Sequence, residues 1–289
     1  MRVCLMIEGQ EGVSWEQWVA LARAVEDANL DGLFRSDHYR SIVRGEPAGA
    51  LDAWATLAGL AAVTNRIRLG TMVSPVTFRR AQVLAKMVVT VDHISNGRVE
   101  LGLGAGWYEA EHETYGFAFP PLRERMDELD RQLAEIVRHW DDVPEIQPKP
   151  VQRPHPPIII GGTAKPRTVR AAVAHADEYN TVWPTVEEAR ERKQTLDEAA
   201  RAAGREPLRF SMMTGCVVGR DAAELEERLA AFKALTGNDA PAIAGTVDEV
   251  VARLREYEAA GVERVMLQHL VHEDVAMVTV LGEVAAQLG

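Results

Sequence analysis

The sequence predicts a (β/α)8 barrel filling residues 1–289 as one domain. Three observations lead there. Short apolar runs alternate with amphipathic helical runs along the chain, the pattern of a parallel α/β protein. Eight strand-like runs can be counted, more than a doubly wound open sheet usually has, over a length typical of barrels. Several of these runs break at their C-terminal ends into Gly, Ser or Pro, where parallel α/β proteins bind ligands.

Val3-Cys4-Leu5-Met6-Ile7 is continuously apolar, as in a strand buried on both faces. Ser14 and Gln17 form a capping box for a helix carrying Trp15, Trp18, Leu21, Ala22 and Val25. The second strand is Asp31–Ser36 and the second helix Asp52–Val63. A third strand, Ile67–Pro75, leads into a helix ending near His93; a fourth, Arg98–Gly106, leads into Trp107–His112. The long helix Leu122–Trp140 and a Pro-rich stretch precede strand five, Ile158–Gly162. Helix Pro166–His175, strand Glu178–Thr181 and helix Val186–Ala203 follow. Strand seven is Leu208–Val218, with Gly215 inside it, and strand eight is Val262–Leu270. Helices Ala222–Leu235 and Val247–Ala260 lie between them, and Val275–Leu288 closes the chain; surplus helices are read as insertions.

Net charge is −11 and no long Lys/Arg run occurs, which argues against nucleic-acid or membrane-surface partners. No apolar run is long enough to span a bilayer, and the N-terminus opens on a strand rather than a leader. A cytoplasmic location is therefore expected. Cys4 and Cys216 sit in apolar runs and read as buried thiols, with neither disulfide nor metal spacing.

The strand ends bring together Glu8, Gly9 and Gln10, Asp37 and His38, Thr71 to Pro75, and Gly104 to His112. Gly161 to Thr163, Thr181, Trp183, Gln268 and His269 complete the set, which lacks a metal-ligand pattern. Gly102, Gly104 and Gly106 match a dinucleotide fingerprint poorly, since Trp107 stands where its third glycine belongs. They either let the strand turn into a helix or expose N–H groups along a ligand channel. Gly161-Gly162-Thr163-Ala164-Lys165 before Pro166 is a strand–helix turn that also suits a phosphate: free N–H groups, a helix dipole, a hydroxyl and a lysine. An acidic protein holding an anion needs such a local seat.

Asp37-His38 directly follows a strand, where imidazole can move a proton near neutral pH. Glu109 and His112 share a helix face, to position substrate or merely to solvate the surface. Trp107 and Trp183 are placed to wall a planar ligand. The segment Ser41–Ala50 and the region after Gly215 are expected to shape the substrate pocket.

Several stretches resemble the bacterial luciferase-like superfamily of flavin- and deazaflavin-dependent barrels. They are Asp31-Gly32…Arg35-Ser36-Asp37-His38, Leu69–Pro75, Leu84-Ala85-Lys86…Asp92–Arg98, Leu101–Trp107, Pro157–Thr163 and Ala176–Asn180. The opening Ile7-Glu8-Gly9-Gln10 is most similar to members described as F420-dependent oxidoreductases. The resemblance implies a homodimeric barrel with an isoalloxazine-type ring at the strand C-termini and a non-proline cis peptide at Met72–Val73. It makes Thr71, Met72, Val73, Gly104, Ala105, Gly106, Trp107 and His112 cofactor-binding candidates, with Gly161, Gly162, Thr163 and Lys165 at a phosphate. Asp37 and His38 match the pair near the reactive ring. The acid that deazaflavin relatives carry just after Gly106 is replaced by Trp107, which leaves nearby Glu109 as the candidate.

The function so implied is hydride transfer between F420 and a small organic substrate, with His38 as proton donor. FMN would instead make the chain a monooxygenase using reduced flavin and oxygen. A barrel that only binds cofactor is a further alternative. A metal-dependent barrel hydrolase is disfavoured by a first strand without a His-x-His pair.

Overall fold

The computed structural model describes residues 1–45, 48–141 and 143–289. Among the described residues the elements begin with β1 (Arg2–Ile7), α1 (Trp15–Asp27), β2 (Gly32–Arg35), α2 (Ala53–Val63), β3 (Arg68–Thr71), β4 (Ser74–Pro75) and α3 (Ala81–Ser95). Next come β5 (Val99–Gly104), α4 (Glu109–Tyr115), α5 (Leu122–Asp141), β6 (Ile158–Gly162), α6 (Pro166–His175), β7 (Glu178–Val182) and α7 (Val186–Ala202). The last are β8 (Arg209–Gly219), α8 (Ala222–Thr236), β9 (Ile243–Thr246), α9 (Val247–Ala259), β10 (Arg264–Gln268) and α10 (Ala276–Leu288).

Parallel pairing runs β1-β2-β3-β5-β6-β7-β8-β10 and returns from β10 to β1, closing the expected (β/α)8 barrel. The two remaining strands depart from the sequence expectation. The run read as one third strand divides at the cis Met72–Val73 peptide into β3 and β4, and β4 continues beside β5. Strand β8 runs through Gly215 to Gly219, and its far half pairs with the short β9, which lacks the hydrophobic length that marks a strand in sequence.

The period-two alternation of each strand sorts its side chains. In β1, Val3, Leu5 and Ile7 join the large core between barrel and helices. Cys4 and Met6 point the other way and join Phe34, Met72, Ile159, Met213 and Met266 in a separate cluster filling the barrel. Burial on both faces is why β1 reads as one apolar run.

Below this cluster, at the strand N-termini, lies a buried ion network. Arg264 donates to Glu100 at 2.6 Å and to Glu178 at 2.7 Å, and Arg68 donates to Glu100 at 2.7 Å. Burial opposes the charge on Glu100, but Arg264 and Arg68 outweigh it and hold its carboxyl below the usual range. Glu178 is pushed upward, because burial and the neighbouring Glu100 prevail over Arg264. The network plugs the end of the barrel opposite the candidate site, the face that in such barrels serves stability rather than chemistry.

Candidate functional site

A cavity of about 570 Å³ opens at the C-terminal ends of the strands, within the range of small-molecule sites. One wall is built from β3, β5 and β6. Met72 and Val73 line it together with Gly104, Ala105, Gly106, Trp107, Gly161 and Gly162. The glycines of β5 have a steric cause. A Cβ at Gly102 would meet the Thr71 carbonyl oxygen at 2.1 Å, and one at Gly104 would meet the Val73 side chain at 2.6 Å. They therefore accommodate the step in β3 rather than a dinucleotide. Trp107 and Trp183 stand at the rim, 63% and 61% exposed, and Trp183 holds the left-handed φ of 41° that bulky residues rarely adopt.

Among the described residues, His38 is the histidine of the cavity lining. Its Nδ1 lies 2.7 Å from Oε1 of Glu111, a carboxylate buried on α4. The other oxygen of Glu111 accepts the Tyr39 N–H at 3.0 Å. Burial works against a charged imidazole, but the hydrogen bond and charge of Glu111 outweigh it and raise the His38 pKa. The pair thus holds one ring nitrogen fixed and favours the imidazolium.

Asp37 does not orient His38. It is fully buried, pairs with Arg79 at 2.6 and 3.2 Å, and accepts the Ser74 hydroxyl at 2.6 Å. Arg79 also reaches Asp52 at 2.7 Å. Asp37 thereby ties the end of β2 to β4 and the segment before α2. Sequence reading missed both Arg79 and Glu111; the i to i+3 spacing drew attention to Glu109 and His112 instead. Glu109 is exposed and outside the cavity lining. His112 is buried, with Nε2 2.7 Å from the Thr77 hydroxyl and Nδ1 2.7 Å from the Tyr108 carbonyl oxygen. It packs among Phe78, Phe117 and Phe119 and supports the cavity wall from behind.

Thr71 is likewise behind the wall, donating to the Gly102 carbonyl at 2.9 Å. Thr163 and Lys165 are exposed beside the cavity; Lys165 is the N-cap of α6, with Pro166 as its first residue. Across the barrel, Glu8 accepts from Gln10 Nε2 at 2.9 Å and Gln268 Nε2 at 2.5 Å. Ile42 and Val43 line the cavity as expected of their segment, while its Glu46 and Pro47 lie outside the described residues.

A smaller cavity of about 230 Å³ lies against α8, lined by Cys216, Val217, Arg228, His269 and their neighbours. The stretch directly after Gly215 thus shapes this space, while Gln268 and Leu270 further along line the larger one. Burial pushes His269 down to about 4, so it is neutral near pH 7 and no substitute for His38.

The donors and surfaces present fit an isoalloxazine-type ring with a phosphate-bearing tail. The step at Met72–Val73 and the glycine wall leave a flat apolar surface. The Asn180 Oδ1 at the cavity is buried without a hydrogen-bond partner and would accept a ring N–H. Gly161 to Lys165 lead into the α6 N-terminus, a suitable phosphate seat. Among the described residues no cluster of His, Cys, Asp or Glu has the arrangement of a metal site, and no helix is long and apolar enough to cross a membrane.

Comparison with known proteins agrees with this geometry. Among solved structures, an F420-dependent secondary alcohol dehydrogenase superposes with a TM-score of 0.84 at 17% identity, covering 100% of this chain and 99% of that one. The monooxygenase RslO1 of Streptomyces bottropensis superposes at 0.78 with 22% identity over 98% of both chains. These likenesses speak for the fold. In sequence, an uncharacterized protein of Mycobacterium tuberculosis is 33% identical over 172 residues, 55% of this chain and 59% of its own length. The F420-dependent glucose-6-phosphate dehydrogenase of Amycolatopsis mediterranei is 34% identical over 123 residues, 42% of this chain and 37% of that protein. The luciferase-like monooxygenase family profile matches residues 2–239. With a closed parallel barrel, a cis step in the third strand and a histidine at the strand ends, the chain belongs to the luciferase-like monooxygenase family.

Proposed function

We propose that the chain is an oxidoreductase transferring a hydride between coenzyme F420 and a small organic substrate, with His38 exchanging the accompanying proton. The observation that carries this reading is the buried His38–Glu111 pair, 2.7 Å apart, opening on the cavity beside Met72 and Val73. F420-dependent proteins among the relatives support it, and flavin-dependent ones keep FMN as the competing cofactor. When bound, the deazaflavin supplies the carbon that accepts or gives the hydride.

The chain's own residues do the rest. Glu111 fixes Nδ1 of His38, so Nε2 is the atom that passes a proton to or from a substrate oxygen. Met72, Val73 and the glycine wall would hold the ring, and Asn180 would accept from its edge. Gly161 to Lys165 would hold the phosphate. Asp37, Thr71 and His112 act as positioning residues behind that wall, and Glu109 retains only a surface role. A single-domain homodimer in the cytoplasm, expected from the resemblance and the sequence, belongs to the same reading.

The test is a titration of the purified protein with F420 and with FMN, following quenching of Trp107 and Trp183 at the rim. Tight F420 binding with weak FMN binding, followed by F420 reduction or oxidation with a small alcohol or ketone, is the expected result. The reverse preference with oxygen consumption would make the chain a flavin monooxygenase. Binding of neither would overturn both readings.

A further inference from the structure

We infer that the substrate taken by this cavity is neutral or cationic, with an apolar body and a hydrogen-bond donor, and that carboxylates and phosphates are rejected. The inference rests on reading the cavity as the substrate site of the proposed oxidoreductase. Among the described residues its lining holds two carboxylates, Glu8 and Glu111, one histidine and neither Lys nor Arg. The Glu111 charge is balanced by His38; Glu8 accepts hydrogen bonds from amide N–H groups and feels the buried Arg35 and His38 only at longer range.

The nearby guanidinium groups lie outside the lining. Arg79 is held by Asp37 and Asp52 and Arg44 by Glu273, while Arg35 donates to the carbonyls of Ser36 and Leu51 behind Gly9, with its Nη1 buried and unpartnered. Gln10 and Gln268 each donate one amide N–H to Glu8, and the Ser36 hydroxyl donates to Gln10. With Asn180 Oδ1 turned to the ring edge and His38 Nε2 to the reacting oxygen, Glu8 is the charged acceptor left facing the substrate among the described residues. A ligand hydroxyl or amine N–H donates to it, whereas an anion meets a like charge.

The apolar half of the pocket is equally specific. The Glu11 carboxylate accepts the Ser41 hydroxyl at 2.6 Å and the N–H groups of Ile42, Val43 and Arg44 at 2.8, 3.1 and 2.9 Å. That clamp fixes Ile42 and Val43 in the lining with Met213 and Leu270. The barrel order separates the two electrostatic environments. Glu8 follows β1 and Lys165 follows β6, with three strands between them on either side. An anionic cofactor tail and a donor-bearing substrate can therefore occupy opposite sides of one mouth.

The test compares three ligands of equal length: 2-hexanol, its terminal ammonium analogue and its terminal carboxylate analogue. Binding is read by calorimetry and by rim tryptophan quenching, with and without F420, and turnover is read separately. The alcohol and the ammonium compound should bind at least about tenfold more tightly than the carboxylate. Glu8→Gln should shrink that ratio several-fold. Equal or tighter binding of the carboxylate, or no discrimination among the three, overturns the inference. Absence of F420 turnover with the charge ranking intact would remove the oxidoreductase reading and leave the charge preference standing.

Discussion

Glu111→Gln isolates the charge that holds His38, because the amide keeps the shape and an acceptor while losing the carboxylate. The wild-type pair is a charge-assisted hydrogen bond of 2.7 Å with Glu111 1% exposed. Such bonds contribute about 1.5–3 kcal/mol and neutral ones roughly half as much, so the lost charge costs about 1 kcal/mol. A second cost follows from Tyr39, whose N–H donates to the other carboxylate oxygen. In the variant one of the two donors, Tyr39 N–H or the ring N–H of His38, faces the new NH₂ group and loses its acceptor, at about 1–3 kcal/mol. The total is about 2–4 kcal/mol. The sign of its pH dependence is fixed by the raised pKa of His38. The stability the imidazolium gains is fully present below its unfolded pKa of about 6.5 and is lost as pH rises through the folded value. Urea unfolding of wild type and variant from slightly acidic to alkaline pH should show the gap widest at the acidic end and narrowing upward. The alkaline limb of turnover should also move to lower pH in the variant. A gap independent of pH, or a wild type no more stable than the variant, would refute the assignment of Glu111 as partner of His38.

Three further outcomes are expected. His38→Ala should lower kcat by about two to three orders of magnitude while leaving cofactor affinity nearly unchanged, as read by steady-state kinetics beside the quenching titration. Gly102→Ala forces a Cβ to 2.1 Å from the Thr71 carbonyl oxygen and should cost at least about 2 kcal/mol, whereas Gly161→Ala, with its nearest contact at 3.7 Å, should be tolerated; thermal melts compare the two. Arg264→Met strands Glu100 and Glu178 in the barrel floor and should cost about 3–5 kcal/mol near neutral pH, with partial recovery as acid neutralises the pair, measured by urea midpoints across pH.

The barrel and the end of it that holds the larger cavity were legible in the sequence because both are local signals. Continuous apolar runs mark strands buried on two faces, and Gly, Ser and Pro mark their turns. The Ser14–Gln17 capping box is present as read, and the cis Met72–Val73 peptide implied by the resemblance is found there. His38 at a strand end was visible for the same reason. What the sequence could not determine is which distant group faces it. Glu111 lies 73 residues away from His38 in the chain, and only closure of β2 against β3 and β5 brings α4 over it. Helical spacing favoured Glu109, yet rotation about the α4 axis exposes Glu109 and buries Glu111. Asp37 shows the converse: adjacent to His38 in sequence just beyond β2, it lies outside the cavity lining and meets Arg79 instead. The glycines of β5 depended likewise on Val73 and the Thr71 carbonyl, neighbours that exist only across the sheet. Periodicity and turn chemistry are properties of consecutive residues, so the sequence determined the barrel and the end at which its cavity opens. Pairing of side chains depends on strand register and helix rotation, so the tertiary structure alone decided which acid serves the histidine.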